Sequence, residues 1–404
     1  MLVPSEIAAQ KWASPGRRRL CLAGSTGSIG RSALEIVRAH PDKFEVFALC
    51  AGSSVENLLQ QAAEFRPRYA VFGDDSPETR RRFEQCRGSC SFQTDSTEFL
   101  FGTRALCEVA AAPEADIVLA AVVGFAGLAS TLAALRAGKF VALANKESLV
   151  CAGELIARVQ RESGSLLVPV DSEHSALFQA LQGADLTHVR SLILTASGGP
   201  FLRRPLEELR NVRPADALQH PRWKMGAKIT IDSATMVNKA LEVIEAYWLF
   251  GLEERQIEVV IHPQSIVHSL VNFRDGTQIA QLSVPDMKGP IAYSLNYPRG
   301  RLDRVLPGLD LAAAGNLEFE AFDNRRFAAV GLARAALRTG GVAPAVFNMA
   351  NEFAVGDFLA GRLSFDRIVS RIDEVLSAFP AGRGYLDLDE LSALQGEVKQ
   401  RFFS

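Results

Sequence analysis

Apolar residues in the first 150 positions fall into short runs separated by stretches of helical spacing. Residues 20–23 form an unbroken apolar run that leads into glycines, after which the pattern turns helical through Val37. Runs at 44–50, 69–72, 117–123 and 140–144 have the length of buried strands, and the segments 55–65 and 128–137 have the spacing of helices. Strands alternating with helices predict a parallel sheet joined by right-handed crossovers. From Leu166 the texture changes. Polar clusters at 171–174, 197–199 and 233–239 sit at the ends of apolar runs, the first two after 166–170 and 192–196. Residues 257–261 and 265–273 read as strands, Arg274-Asp275-Gly276 as a turn, and 278–284 as a returning antiparallel strand. Past a Pro-, Gly- and Arg-rich stretch, Phe365, Ile368, Val369, Ile372, Leu376 and Phe379 fall on one helical stripe. Pro344 suits a first helical turn, Gly340-Gly341 a stop, and Asp387 with Glu390 a capping box.

These patterns predict an α/β protein in several parts. A flexible tail over 1–18 precedes a Rossmann-like parallel-sheet domain over 19–165. A central α+β catalytic domain over 166–285, a linker over 286–311 and a helical domain over 312–404 follow.

Composition narrows the functional classes. With 404 residues, 48% hydrophobic and 22% charged, the chain reads as a globular protein with room for more than one core. A formal net charge of −2 gives no support for a nucleic-acid partner, and Arg17-Arg18-Arg19 reads as a solvated strand entrance. The six cysteines form no C-x-x-C pair; Cys86 and Cys90 lack the second pair a zinc site needs, so reduced thiols and a cytoplasmic location are expected. Residues 117–135 carry no charge and nominally could span a bilayer, but Gly124 and Gly127 divide them into strand, turn and helix, so no membrane association is expected. Residues 1–16 lack the basic and apolar regions of a secretory signal.

Gly24-Ser25-Thr26-Gly27-Ser28-Ile29-Gly30 follows a strand and opens a helix. Glycines there permit a tight turn and bring backbone N–H groups close to a pyrophosphate at the helix N-terminus. The spacing is GxxGxxG; the strand before and the helix after favour a dinucleotide site over a packing turn. The second strand ends in Cys50-Ala51-Gly52-Ser53-Ser54, without the acid that holds an NAD ribose, and this favours NADPH, whose 2′-phosphate an acid would repel.

Asp171 and Glu173, two apart in extended chain, would point the same way. Asn238 and Glu242 share a face if their segment is helical, with Lys239 beside them. Three carboxylates without cysteine suit magnesium or manganese; a helix cap at Asp171 with surface charge at Glu173 and Glu242 accounts equally well for the spacing. Ser197-Gly198-Gly199, with Ser233, Asn238 and Lys239, offers donors suited to a phosphate. Asn145-Lys146-Glu147 ends a strand at the edge where α/β ligands bind. The segment from His220 to Gly226 places Trp223 and Met225 in a Pro-containing loop that would make a lid. His262 and His268 read as structural residues of a strand region.

Taken in order, the glycine turn, Ala144-Asn145-Lys146-Glu147-Ser148, Pro169-Val170-Asp171-Ser172-Glu173-His174, Thr195-Ala196-Ser197-Gly198-Gly199-Pro200-Phe201, the 220–226 loop, Asp232-Ser233-Ala234-Thr235-Met236, Asn238-Lys239 and His262-Pro263-Gln264-Ser265 closely resemble the 1-deoxy-D-xylulose 5-phosphate reductoisomerases. The resemblance implies a homodimer that uses NADPH and Mg2+ or Mn2+ to rearrange and reduce 1-deoxy-D-xylulose 5-phosphate to 2-C-methyl-D-erythritol 4-phosphate. It further implies Asp171, Glu173 and Glu242 as metal ligands. Substrate contacts would be Lys146, Ser172, Glu173, Ser197, His220, Ser233, Asn238, Lys239 and Glu242. The matching NADPH positions are Thr26, Gly27, Ser28, Ile29, Asn145, Glu147 and Gly226, with the turn Gly52-Ser53-Ser54. The catalytic set it implies is Lys146, Glu173, His174, His220 and Glu242. Two departures stand out: serines follow Gly52 where members carry Lys and Asn, and Ala240 replaces a Gly of some members.

Overall fold

The computed structural model describes residues 2–4, 9–89, 96–219, 226–379, 384 and 387–403. Seven strands, β1 (Arg18–Ala23), β2 (Phe44–Ala51), β3 (Tyr69–Phe72), β4 (Glu98–Phe101), β5 (Ile117–Ala120), β6 (Phe140–Leu143) and β7 (Leu166–Pro169), form one sheet in the order β4-β3-β2-β1-β5-β6-β7. Every pairing in it is parallel. Leu20, Cys21, Leu22 and all four residues of β5 and of β6 are buried, which is why these strands are unbroken apolar runs without alternation. The strand order reverses between β1 and β5. In open α/β sheets ligands bind at that reversal, beyond the carboxyl ends of the strands.

The helices that matter for function are α1 (Ser28–Ala39), α2 (Val55–Phe65), α3 (Lys146–Ser163), α4 (Ser172–Ala180), α5 (Ala227–Ala234), α6 (Val237–Phe250), α7 (Lys288–Asn296) and α8 (Ala343–Leu359). Helix α1 buries Ala33, Leu34, Ile36 and Val37 on one face. A second sheet has the order β11-β10-β8-β9-β12, from β8 (Val189–Ala196), β9 (Ile257–Ile261), β10 (Val267–Phe273), β11 (Gln278–Leu282) and β12 (Glu320–Ala321). Its β10–β11 hairpin turns at Arg274-Asp275-Gly276, where Gly276 has a φ of +90°. In the helical C-terminal part, Pro344 opens α8, Gly340 ends the preceding helix, and Asp387 with Glu390 caps Leu388–Phe402 reciprocally.

Four parts of the sequence-based division are corrected. The described residues of the tail are docked: Leu2 and Val3 are buried with their N–H groups on the carbonyl oxygen of Leu249, and Trp12 meets Phe140 edge to face. Strand β7 lies beyond the expected boundary at 165 but pairs with β6, so the first sheet runs on to Pro169. The expected linker contains α7, whose Ile291, Ala292 and Leu295 are buried and whose Leu295 and Tyr297 carbonyls accept from the buried Arg18 guanidinium at 2.6 and 2.8 Å. Strand β12, from the nominally helical part, closes the second sheet against β9. Proline and glycine content marked 286–311 as loop because the buried face of α7 is only a few residues wide.

Candidate active site

The carboxyl ends of β1, β5, β6 and β7 bring the glycine turn, the 121–124 loop, Asn145 to Glu147, and Asp171 to one edge of the first sheet. Gly24 has a φ of +97°, and a Cβ there would lie 2.4 Å from the carbonyl oxygen of Ala121. At Gly30 a Cβ would come within 2.4 Å of both the Gly24 oxygen and the Ser25 Cα. Both glycines are therefore dictated by the tightness of the turn, which also leaves Gly27 and Ser28 exposed at the start of α1. Ser25 is not available to a ligand. Its hydroxyl donates to Gln61 Oε1 at 2.7 Å and its carbonyl accepts from Gln61 Nε2 at 3.0 Å, pinning the turn to α2.

A cleft of about 640 Å³ runs from Gly27, Ser28, Ile29 and Ser32 past Asn145, Glu147 and Gly226 to Asp171, Glu173 and Glu242. At its far end, one carboxylate oxygen from each of these three acids lies within 4.8 Å of the others. Asp171 caps α4 and Glu173 stands in that helix's first turn, so they converge through a helix start and not through extended chain as expected. The capping role and the convergence coexist. Glu242 comes from α6, where Asn238 Nδ2 donates to its Oε1 at 2.5 Å, one helical turn away.

Two lysines compensate these acids. The Lys146 ammonium, almost fully buried, bonds Asp171, Glu242 Oε1 at 3.2 Å and Asn238 Oδ1 at 2.9 Å. The Lys239 ammonium bonds Glu173 Oε1 at 2.9 Å and Glu242 Oε2. Burial would lower Lys146, but Asp171 and Glu242 outweigh it and hold it well above the ordinary range. Burial and the neighbouring Glu242 charge push Glu173 up to about 7. Three carboxylates against two ammoniums leave the cluster short of positive charge, and an all-oxygen donor set of this kind fits a hard divalent cation.

His174 does not line the cleft. It is fully buried behind the acids, with Nε2 2.9 Å from the Glu242 carbonyl oxygen and Nδ1 3.3 Å from Glu245 Oε2. A carbonyl only accepts, so Nε2 carries a proton. Burial opposes the second proton, yet Glu245 and Asp171 outweigh it and raise the imidazole to about 9. Expected among the catalytic residues, it stands outside the cleft, against Asp171 and the backbone of α6. His262 is structural too. Its Nδ1 donates to the Glu318 carbonyl at 2.7 Å while Nε2 accepts from the N–H groups of Ile266 and Val267. This holds the turn at Ser265, which sits at a φ of +54° on the cleft wall.

Ser197, Ser233, Asn238 and Lys239 all reach the cleft. A Cβ on Gly199, at a φ of +68°, would meet the Ser233 carbonyl at 2.8 Å, so the glycine lets the two serine-bearing segments touch. Thr26 and the turn Gly52-Ser53-Ser54 do not line the cleft; Gly52 and Ser53 are exposed beyond the end of β2. His220 and the rest of 220–225, like Cys90, lie outside the described residues. Lys228 went unnoticed in the sequence, Asp232 and Met236 entered only as part of a family motif, and His268 was read as structural; all four line the cleft. Met236, at a φ of +61°, makes the corner between α5 and α6; a non-glycine residue in that conformation is a signal of function that only coordinates reveal.

Comparison with known proteins agrees with this geometry. Family models for 1-deoxy-D-xylulose 5-phosphate reductoisomerase match residues 20–153, for its C-terminal domain residues 167–250, and for a further DXP reductoisomerase C-terminal domain residues 282–401. The 1-deoxy-D-xylulose 5-phosphate reductoisomerase of Dechloromonas aromatica is 50% identical over 370 residues, covering 90% of this chain and 92% of the relative. That of Geobacter metallireducens is 52% identical over 361 residues, covering 89% and 92%. A crystal structure of DOX-P reductoisomerase in complex with NADPH, fosmidomycin and magnesium superposes with a TM-score of 0.88 at 42% identity, covering 95% of this chain and 97% of the other. The Zymomonas mobilis enzyme in complex with NADPH gives 0.85 at 40% identity, covering 95% and 97%.

Proposed function

The chain belongs to the 1-deoxy-D-xylulose 5-phosphate reductoisomerase family, and from that premise we propose how its own residues carry the reaction. The activity is the NADPH- and metal-dependent conversion of 1-deoxy-D-xylulose 5-phosphate to 2-C-methyl-D-erythritol 4-phosphate. The observation that carries the assignment of roles is the convergence of three carboxylates from two chain segments at one end of a cleft whose other end is a glycine turn.

Asp171, Glu173 and Glu242 hold the divalent ion. When bound, the ion would supply Lewis acidity toward the substrate's ketone and adjacent hydroxyl, and NADPH would supply hydride. Lys146 acts as an electrostatic anchor, because its three N–H donors already have three acceptors and each holds an acid or its helix in place. Ser197, Ser233, Asn238 and Lys239 grip the phosphate, with Ser172 beside the metal acids, and remote binding of this kind orients the reacting carbons. His220, on a segment outside the described residues, joins them by resemblance. Gly27, Ser28, Ile29, Asn145, Glu147 and Gly226 receive NADPH along the cleft, with Thr26 and the Gly52-Ser53-Ser54 turn at its adenosine end. His174 acts through Asp171 and the Glu242 carbonyl.

Purified protein is expected to oxidise NADPH only when both deoxyxylulose phosphate and Mg2+ or Mn2+ are present, giving a product with a branched carbon skeleton. NADPH oxidation that survives strong chelation, or a product with the original skeleton, would instead make it a plain dehydrogenase of a phosphorylated substrate.

Among the described residues no helix is long and apolar enough to cross a membrane. Cys21, Cys50, Cys107 and Cys151 are free thiols, which supports a cytoplasmic location. We further propose a homodimer formed on the second sheet. Strand β11 is its edge and carries Ile279 at 48% exposure, an apolar side chain beside unpaired strand backbone. Light scattering coupled to gel filtration should return twice the chain mass, and Ile279→Lys should shift it toward one; a monomeric wild-type protein would end this reading.

A further inference from the structure

A second buried ionic cluster lies between the glycine-turn side of the cleft and the catalytic helices, outside the acids and the phosphate donors. Its centre is Lys228, near the start of α5. The Lys228 ammonium lies 3.0 Å from Glu147 Oε1 and 2.7 Å from Asp232 Oδ2. Each carboxylate is held from its other oxygen. Glu147 Oε2 accepts from Asn145 Nδ2 at 3.0 Å, and Asp232 Oδ1 accepts from Asn351 Nδ2 at 2.8 Å. Asn145 Nδ2 also reaches the carbonyls of Val122 and Gly124, at 2.7 and 2.9 Å. The next residue, Phe125, donates its N–H to Glu352 Oε1 at 2.8 Å. Asn351 and Glu352 both come from α8.

The cluster thus ties the loops after β5 and β6, helix α5 and the buried helix α8 to one cation. Lys228, Asn145, Glu147 and Asp232 line the cleft, and Lys228 stands two residues along the chain from Gly226, which lines it too. The side chains of Glu147 and Asp232 are 9% and 2% exposed, so neither charge is relieved by water if the ammonium is removed.

We propose that Lys228 is a positioning residue for the nicotinamide end of the bound cofactor: by clamping Glu147 to Asp232 it fixes the separation between the Asn145–Glu147 wall and the Gly226 wall. This rests on the NADPH reading of the cleft. Lys228 contributes no ligand to the cation site and no donor to the phosphate serines, so its removal should separate cofactor affinity from metal affinity.

The test uses the full chain with Lys228→Met, Lys228→Arg and Asp232→Asn. NADPH is titrated by its fluorescence in the absence of substrate, and Mg2+ by calorimetry. Lys228→Met leaves Glu147 and Asp232 as buried charges without their cation, and Asp232→Asn breaks the clamp from the other side, so each should weaken NADPH binding by about ten- to a hundredfold. The KM for NADPH should rise in step, Mg2+ affinity should stay within about twofold, and Lys228→Arg should recover most of the loss. If Lys228→Met does not fold, Asp232→Asn carries the measurement. NADPH affinity unchanged in a folded variant overturns the proposal, as does a parallel loss of NADPH and Mg2+ binding, which would make the cluster purely structural. Failure of the wild-type protein to bind NADPH would instead overturn the cofactor reading.

Discussion

Glu242→Gln is expected to leave a folded protein whose turnover falls by on the order of a thousandfold, because it removes a full charge from the place where charge develops. Both oxygens of Glu242 are engaged, Oε1 by Lys146 and Asn238 and Oε2 by Lys239. An amide keeps the volume and one acceptor but turns an N–H2 group toward one of those donors. The fold should survive, since Lys146 keeps Asp171 and Lys239 keeps Glu173. Circular dichroism and a thermal melt check the fold, and initial rates across Mg2+ and Mn2+ concentrations check the site. The ion concentration needed for half-maximal rate should rise sharply. Near-normal turnover with unchanged ion dependence would remove Glu242 from the metal shell.

Much of this site could be read before any coordinates, and the reasons differ from residue to residue. The pair Asn238 and Glu242 was legible because helical periodicity alone puts positions four apart on one face. Asp171 and Glu173 were paired correctly by proximity, yet the geometry invoked was extended chain where the structure has a helix start. The error did no harm, because Asp171 is the cap residue, still outside helical geometry, and its side chain folds over onto the Glu173 N–H. His174 was misplaced. Adjacency in the motif cannot distinguish a residue facing the cleft from one facing Glu245 and Phe250 behind it, and the phase of α4 decides that.

The fold followed the same logic. Strand β3 was bounded to the residue because burial on both sides makes it an unbroken apolar run flanked by polar residues, and β9 because its β-branched residues stand out around the exposed Glu258. The helix Pro77–Ser89 was passed over, since its run of arginines and acids leaves little apolar stripe. Helix α7 hid inside a Pro- and Gly-rich stretch. Lys228 was missed for another reason: its helical pairing with Asp232 four residues on looks like any solvated surface pair, and its other partner, Glu147, lies 81 positions away. Long-range ion pairs leave no local pattern.

Lys146→Met should separate rate from metal affinity in opposite directions. The ammonium occupies the space between Asp171 and Glu242 and is their cation. Without it two buried carboxylates face each other with less compensation, and breaking a buried pair from one side costs about 3–5 kcal/mol. The apoprotein should therefore melt well below the wild type. The same excess of negative charge makes the site a better trap for a divalent ion, so added Mg2+ should restore much of the lost melting temperature, as a ligand that binds only the native state must. Turnover should nonetheless fall by about a hundredfold or more even at saturating Mg2+, because Asp171, Asn238 and Glu242 lose the group that holds all three in register. A melt series in Mg2+ beside steady-state rates gives both readouts. Turnover restored to near the wild-type level at saturating Mg2+ would show that the ion alone orders Asp171, Asn238 and Glu242, and the anchor role assigned to Lys146 would fail.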